Sequence, residues 1–148
     1  MKISTKGRYG LRILLDLAIH QSEKPRLIRD IAKSQQISEK YINRLVIALR
    51  KAGMIRSVRG VNGGFHIAMK PEDITLLDVI EVMEGPLSIV DCVKTPRRCA
   101  MHENCAPREI WCTLNEDIRN LMRRTTLADI LEAYNRQNAR DGITDYCI

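Results

Sequence analysis

Three of the five cysteines in this 148-residue chain, Cys92, Cys99 and Cys105, fall close together with the spacing Cys-x6-Cys-x5-Cys. Three thiolates converging on one point repel unless a cation is held between them, and thiolate is the ligand soft metals select. The spacing has neither the paired Cys-x2-Cys knuckles of zinc ribbons nor the runs of ferredoxins. It therefore leaves three readings open: an iron–sulfur cluster, zinc, or ordinary free thiols. His102, between the last two cysteines, would complete a Cys3His set for zinc. An irregular loop suits a partly exposed, releasable cluster, which favours iron–sulfur. Cys112 comes seven residues after Cys105, roughly 10 Å along a continuous helix and too far to share a centre. It reads as a small apolar residue beside Trp111, and Cys147 as a terminal thiol with no assigned role.

The second chemistry is charge. Residues 1–70 carry fifteen Lys/Arg against four Asp/Glu, whereas residues 71–148 carry nine against fourteen. A basic half is the electrostatic footprint of a surface that neutralises phosphates. Aromatics make up only 4% of the chain, too few for the stacking platforms of RNA and single-strand binders, so duplex DNA is the expected target. There is no nucleophile–base pair, phosphate-cradling loop or defensible carboxylate pair, and no enzyme is expected.

These residues need elements to position them. Tyr9, Leu11, Leu14, Leu15, Ala18 and Ile19 recur at helical spacing behind the cap residues Ser4 and Thr5, predicting a helix near 5–20. A short helix follows near 28–34, then a turn through Gln35, Gln36 and Ile37. Ser38 is the N-cap of the next helix, with Glu39 in its first turn and Gly53 as its stop. That helix turns Ile42, Leu45, Val46 and Leu49 inward and Lys40, Asn43, Arg44, Ile47 and Arg50 outward, which is what the second helix of a helix-turn-helix requires. Two strand-like runs, 55–58 and 65–68, flank Arg59-Gly60-Val61-Asn62-Gly63-Gly64, a hairpin signal that reads as a wing presenting Arg59.

Beyond Pro71, Thr75 and Asp78 form a capping box for a helix ending at Gly85-Pro86. Residues 86–105 have little apolar periodicity and read as an ordered or ligand-organised loop. Pro107 opens a long helix, 106–124, with Ile110, Trp111, Leu114, Ile118, Leu121 and Met122 along one side, and Thr126 with Asp129 caps a last one. A long amphipathic helix outside the reading head is expected to pair with its copy in a homodimer; the competing reading packs it back on its own head. The expected fold is mainly α: a winged helix-turn-helix domain (1–85) with a small β-hairpin wing, a cysteine loop (86–105), a dimerisation helix and C-terminal helix (106–137), and a flexible tail (138–148). The basic, polar N-terminus shows no secretory signal, and no apolar run is long enough to cross a membrane, so a cytoplasmic protein without disulfides is expected.

Met1–Gly10, Ile37–Ile42, Ser57–Gly60 with Gly63-Gly64, and the loop cysteines ending in Trp111 together resemble the Rrf2 family of winged-helix transcriptional regulators, over nearly the whole chain to about residue 135. The resemblance implies a sequence-specific, cluster-controlled regulator, with a repressor expected, of iron–sulfur biogenesis or cysteine and sulfur metabolism. It implies that Cys92, Cys99 and Cys105 hold an iron–sulfur cluster, 2Fe-2S ahead of 4Fe-4S, with zinc as the alternative. It also implies a double-stranded DNA operator read by Ser38, Tyr41, Asn43 and Arg44 in the major groove and by Arg59 and Gly60 at the wing, with Lys6 and Arg8 on phosphates. A second branch of the family lacks the cysteines and answers to a partner enzyme of cysteine metabolism, and Glu84–Ser88 resembles that branch. Three positions depart from the pattern. Cluster-binding members use a His three residues after the third cysteine, where this chain has Arg108. Nitric-oxide-sensing members use an acidic residue of the first helix, where this chain has Arg8. Asn43 replaces a Glu on the recognition helix. The fourth ligand is left to His102, Glu109, a small molecule or water.

Overall fold

A computed structural model describes residues 3–21, 24–60 and 63–140. The helices are α1 (Thr5–Ile19), α2 (Ile28–Gln35), α3 (Glu39–Lys51), α4 (Leu76–Glu84), α5 (Asp91–Lys94), α6 (Ala106–Arg124) and α7 (Leu127–Arg140). One antiparallel hairpin, β1 (Ile55–Val58) and β2 (Gly64–Ile67), sits between α3 and α4, with Ile55 opposite Ile67 and Val58 opposite Gly64. The chain is therefore mainly α with a small two-stranded sheet, as its periodicity predicts.

Local chemistry sets the boundaries. Ser4 caps α1 by accepting from Lys6 N at 3.1 Å, and Ser38 caps α3 by accepting from Tyr41 N at 3.3 Å. Between α2 and α3 the chain turns through Gln36, a non-glycine residue at φ 54°; its left-handed backbone makes the helix-turn-helix corner. Both predicted capping boxes form. Asp78 N donates to Thr75 Oγ1 at 3.1 Å while Thr75 N donates to Asp78 Oδ2 at 3.3 Å. In the second, Thr126 N donates to Asp129 Oδ2 at 2.7 Å and Asp129 N to Thr126 Oγ1 at 3.2 Å.

The core gathers Ile13, Leu14 and Leu17 of α1, Ile31 of α2, Ile42 and Leu49 of α3, Ile55 of β1 and Val79 of α4. Each buried side chain of this size contributes about 1.5–3 kcal/mol of hydrophobic stabilisation. Gly7 faces Ile80 and Glu84 of α4 so closely that a Cβ would lie 2.9 Å from Ile80 Cδ1, so α1 and α4 pack backbone to side chain. Two features were not anticipated. Leu127, the first residue of α7, is buried in the same core, and Leu76 N to Thr125 O and Leu127 N to Ile74 O, both 2.8 Å, staple α7 to the residues preceding α4. The core thus continues past the expected domain boundary at residue 85. The segment 86–105 also contains local structure, namely α5 and a 3-10 turn at Pro96–Arg98. α7 runs to Arg140, so residues 138–140, expected in the tail, are helical; the rest of that tail, with Cys147, lies outside the described residues. Among the described residues no helix is long and apolar enough to cross a membrane.

Candidate functional site

The basic surface is built on α1, α3 and the wing. Ser38, Lys40, Asn43, Arg44, Ile47 and Arg50 are exposed on the outer side of α3, while Ile42, Leu45, Val46 and Leu49 hold the inner side. Lys6 and Arg8 are exposed on the first turn of α1. Tyr9 meets Tyr41 edge to face, with ring centroids 5.9 Å apart, which sets the start of α1 beside the start of α3 and brings the two sets of cations together. Tyr41 is half-buried in that pair and holds the two helices in register. Ser38 Oγ is committed to its cap. Asn43 donates its Nδ2 to Glu39 O at 3.0 Å, which orients the amide on the exposed side. Arg59 and Gly60 are exposed at the wing tip, where Gly60 takes φ 117°, a conformation that favours glycine.

A buried polar network ties this surface together and was not read from the sequence. Asp16, 1% exposed on the apolar side of α1, accepts from Arg26 Nε at 3.0 Å, from Gln35 Nε2 at 3.1 Å and from Ser34 Oγ. Arg26 also pairs with β2 through its backbone: Arg26 N donates to Phe65 O, and Phe65 N to Arg26 O, each at 2.9 Å. The ion pair and the bonds from Ser34 and Gln35 thereby link α1, the α1–α2 connection, α2 and the wing. The sequence signal was a lone carboxylate between Leu15 and Leu17.

The thiols are placed differently. Cys92 lies in α5, Cys99 ends the 3-10 turn and Cys105 is the N-cap residue of α6; all three are half-buried and free. Among the described residues, no group of three or more His, Cys, Asp or Glu stands close enough to hold a metal, so the fold sets these donors in one short segment without converging them. From Glu84 to Leu114 no residue is buried, and the segment is held instead by polar anchors at its start. Leu87 N donates to Glu81 Oε1 at 3.0 Å, Ile89 N to the buried Asn115 Oδ1 at 3.1 Å, and Arg119 pairs with Glu81. A neighbouring carboxylate, Glu84, accepts from Ser4 N at 2.8 Å and Gly7 N at 3.2 Å. α4 thus touches the cysteine segment with one carboxylate and the start of α1 with the next.

His102 is half-buried, and its Nδ1 lies 2.9 Å from Cys99 O. A carbonyl can only accept, so Nδ1 is the donor here, and Nε2 faces Glu103 Oε1 at 3.8 Å. Glu109 is exposed on the first turn of α6. Arg108 Nε is buried without a hydrogen-bond partner. Three thiols and one imidazole are donors of the type an iron–sulfur group takes, but among the described residues they do not converge.

On the outer side of α6, Ile110, Trp111, Leu114 and Leu121 are exposed, while Met122 and Asn115 are buried.

A family model described as Rrf2, iron-dependent transcriptional regulator, matches residues 3–133. The HTH-type transcriptional regulator CymR of Bacillus subtilis (strain 168) is 40% identical over 130 residues, which is 88% of this chain and 89% of that protein. A solved structure of the same regulator, described as the global cysteine regulator of B. subtilis, superposes with a TM-score of 0.78 at 38% identity and covers 90% of this chain and 98% of that one. The structure of T. potens IscR superposes with a TM-score of 0.72 at 36% identity, covering 90% and 88%.

Proposed function

The chain belongs to the Rrf2 family and is a transcriptional regulator; from that premise we propose that it binds a roughly palindromic duplex operator as a homodimer, under the control of an iron–sulfur cluster held by Cys92, Cys99 and Cys105. The observation that carries the sensor half of this reading is the run from Glu84 to Leu114, which contains three half-buried thiols and no buried residue. A segment of that length without a core needs another source of order, and a metal centre supplies it. When bound, the cluster would supply a crosslink that iron supply and oxidants can make or break.

The remaining roles fall to the chain itself. α3 enters the major groove, where Asn43 and Arg44 face base edges, while Ser38 and Tyr41 fix the start of that helix; Arg59 and Gly60 approach the neighbouring minor groove. Lys6 and Arg8 neutralise phosphates, which makes affinity steeply salt-dependent. The apolar side of α6 pairs with its copy. Tightening of residues 86–105 pulls on Leu87 and Ile89, hence on Glu81 and Asn115, and α4 carries the displacement to Ser4 and Gly7 through Glu84. Such coupling need supply only about 1–3 kcal/mol to change operator occupancy. His102 is the better fourth ligand than the exposed Glu109, because it is half-buried and its ring is oriented by Cys99 O. A 2Fe-2S cluster, which tolerates an imidazole ligand, suits this set. Repression of iron–sulfur biogenesis or sulfur-metabolism genes is the expected output, supported by the iron-dependent family description and the cysteine regulator among the relatives.

Anaerobic purification followed by iron and acid-labile sulfide analysis tests the cluster. A brown protein with equal iron and sulfide supports it; a colourless protein with reactive thiols supports a second reading, favoured by the 40% identity to CymR, in which the regulator answers to a cysteine-metabolism enzyme and its thiols act as redox switches. Zinc in place of iron would reassign the Cys3His set as structural.

A further inference from the structure

Ile47 is the one large apolar side chain that α3 leaves in solvent, at 56% exposure. At about 100° of rotation per residue, it projects between Asn43 and Arg44 and nearly opposite Leu49, which is wholly buried. The core does not call for an isoleucine there, since α3 already gives it Ile42, Leu45, Val46 and Leu49. Residues three and four apart are neighbours on a helix surface, and those of Ile47 are Asn43, Arg44, Arg50 and Lys51, all exposed. A protein-docking surface is a contiguous apolar patch with charge depleted from its centre. One isoleucine ringed by three cations and an amide is the reverse, whereas on α6 the exposed Ile110, Trp111, Leu114 and Leu121 recur at helical spacing.

A cationic surround selects a polyanion as the partner, and what duplex DNA offers an apolar side chain is narrow. In the major groove the base edges present hydrogen-bonding groups and one apolar group, the C5-methyl of thymine. We propose that Ile47 is a specificity residue that selects thymine in the operator by packing on that methyl group, one helical turn beyond the base read by Asn43. The inference rests on the reading above that α3 enters the major groove. Four residues advance an α-helix by about 6 Å, and successive bases of a strand are about 3.4 Å apart, so the thymine lies within about two base pairs of the Asn43 contact. The amide of Asn43 then chooses one base by hydrogen bonding, and Ile47 chooses the next by its methyl.

The test begins with an operator selected from random duplexes by the full-length protein. Each thymine of that operator is then replaced in turn by deoxyuridine, which removes the methyl and keeps every hydrogen-bonding group. At one thymine of each half-site the replacement weakens binding by the parent about fourfold, the size expected of one buried methyl group. Ile47→Ala weakens binding to the thymine operator by at least that factor, no longer distinguishes thymine from uracil at that position, and keeps the parent's thermal midpoint. A parent indifferent to every replacement overturns the proposal, as does an Ile47→Ala protein that retains the parent's sensitivity to uracil. Undiminished operator affinity in Ile47→Ala also overturns it and would assign the side chain to a protein contact. Asn43→Ala and Arg44→Ala separate this inference from the reading beneath it. If they change operator preference and Ile47→Ala does not, this inference alone falls; if all three variants bind every duplex as the parent does, α3 is not in the groove and both fall.

Discussion

Asp16 shows how one buried carboxylate can join the elements that carry the basic surface. Its three partners come from the α1–α2 connection and from α2, and one of them, Arg26, is also a backbone partner of β2. Asp16→Ala leaves buried donors unmatched and costs about 3–5 kcal/mol, read as a lower midpoint in urea denaturation. Substitution at the exposed Asn43 has the opposite profile. With its amide oriented by Glu39 O, Asn43→Ala leaves stability and non-specific DNA affinity nearly unchanged and alters the preferred operator in a binding selection; a uniform loss on all sequences would contradict its role in base reading. Asn43 was legible because helical spacing assigns it to the outer side of α3. The Asp16 network was not, because its partners lie ten to nineteen positions away and periodicity carries no information about pairing at that range.

At the scale of elements, helix ends were legible and their docking was not. Ser4, Ser38, Thr75 and Thr126 all cap the helices they precede, since capping depends on residues within one turn. The capping box at α7 has a pH signature. Hydrogen bonds from the Thr126 backbone and then its side chain hold the Asp129 carboxyl below its ordinary value. A lowered folded-state pKa stabilises the helix start above the ordinary aspartate range, and this contribution is lost as pH falls through the lowered value. Fraying of α7 on acidification, followed by amide exchange at its first turn, should therefore diminish in Asp129→Asn. The docking of Leu127 into the reading head had no local signal, because a leucine opening a helix fits an exposed arm equally well. Of the stripe that periodicity predicts on α6, Ile110, Trp111, Leu114 and Leu121 are exposed while Met122 is buried against its own chain; an exposed apolar stripe of this kind marks an interaction surface. Leu114→Glu with Leu121→Glu should yield a monomer in sedimentation equilibrium at micromolar concentration, with the thermal midpoint of the head little changed. A double variant that remains dimeric would contradict pairing through α6.

The whole molecule divides electrically as the sequence divides: residues 1–70 are basic and residues 71–148, which include α4, are acidic. The two are not mechanically separate. α4 packs on α1 through Gly7, the first turn of α7 enters the core of the head, and Glu81 with Arg119 fastens the start of the cysteine segment to α6. Cysteine spacing singled out the segment 86–105, whereas its ties to α6 and to the head were hidden in two glutamates of α4, whose partners include Arg119, Ser4 and Gly7. The central claim is that thiol-bound iron–sulfur and operator binding are one coupled equilibrium. The most direct test is operator affinity measured anaerobically at fixed salt for cluster-loaded protein, for the same protein after cluster removal, and for the variant with Cys92, Cys99 and Cys105 all changed to Ser. The account predicts that loaded and cluster-free protein differ at least fivefold in affinity or in operator choice, and that the triple variant matches the cluster-free form. Equal binding by all three on every operator tested would contradict it.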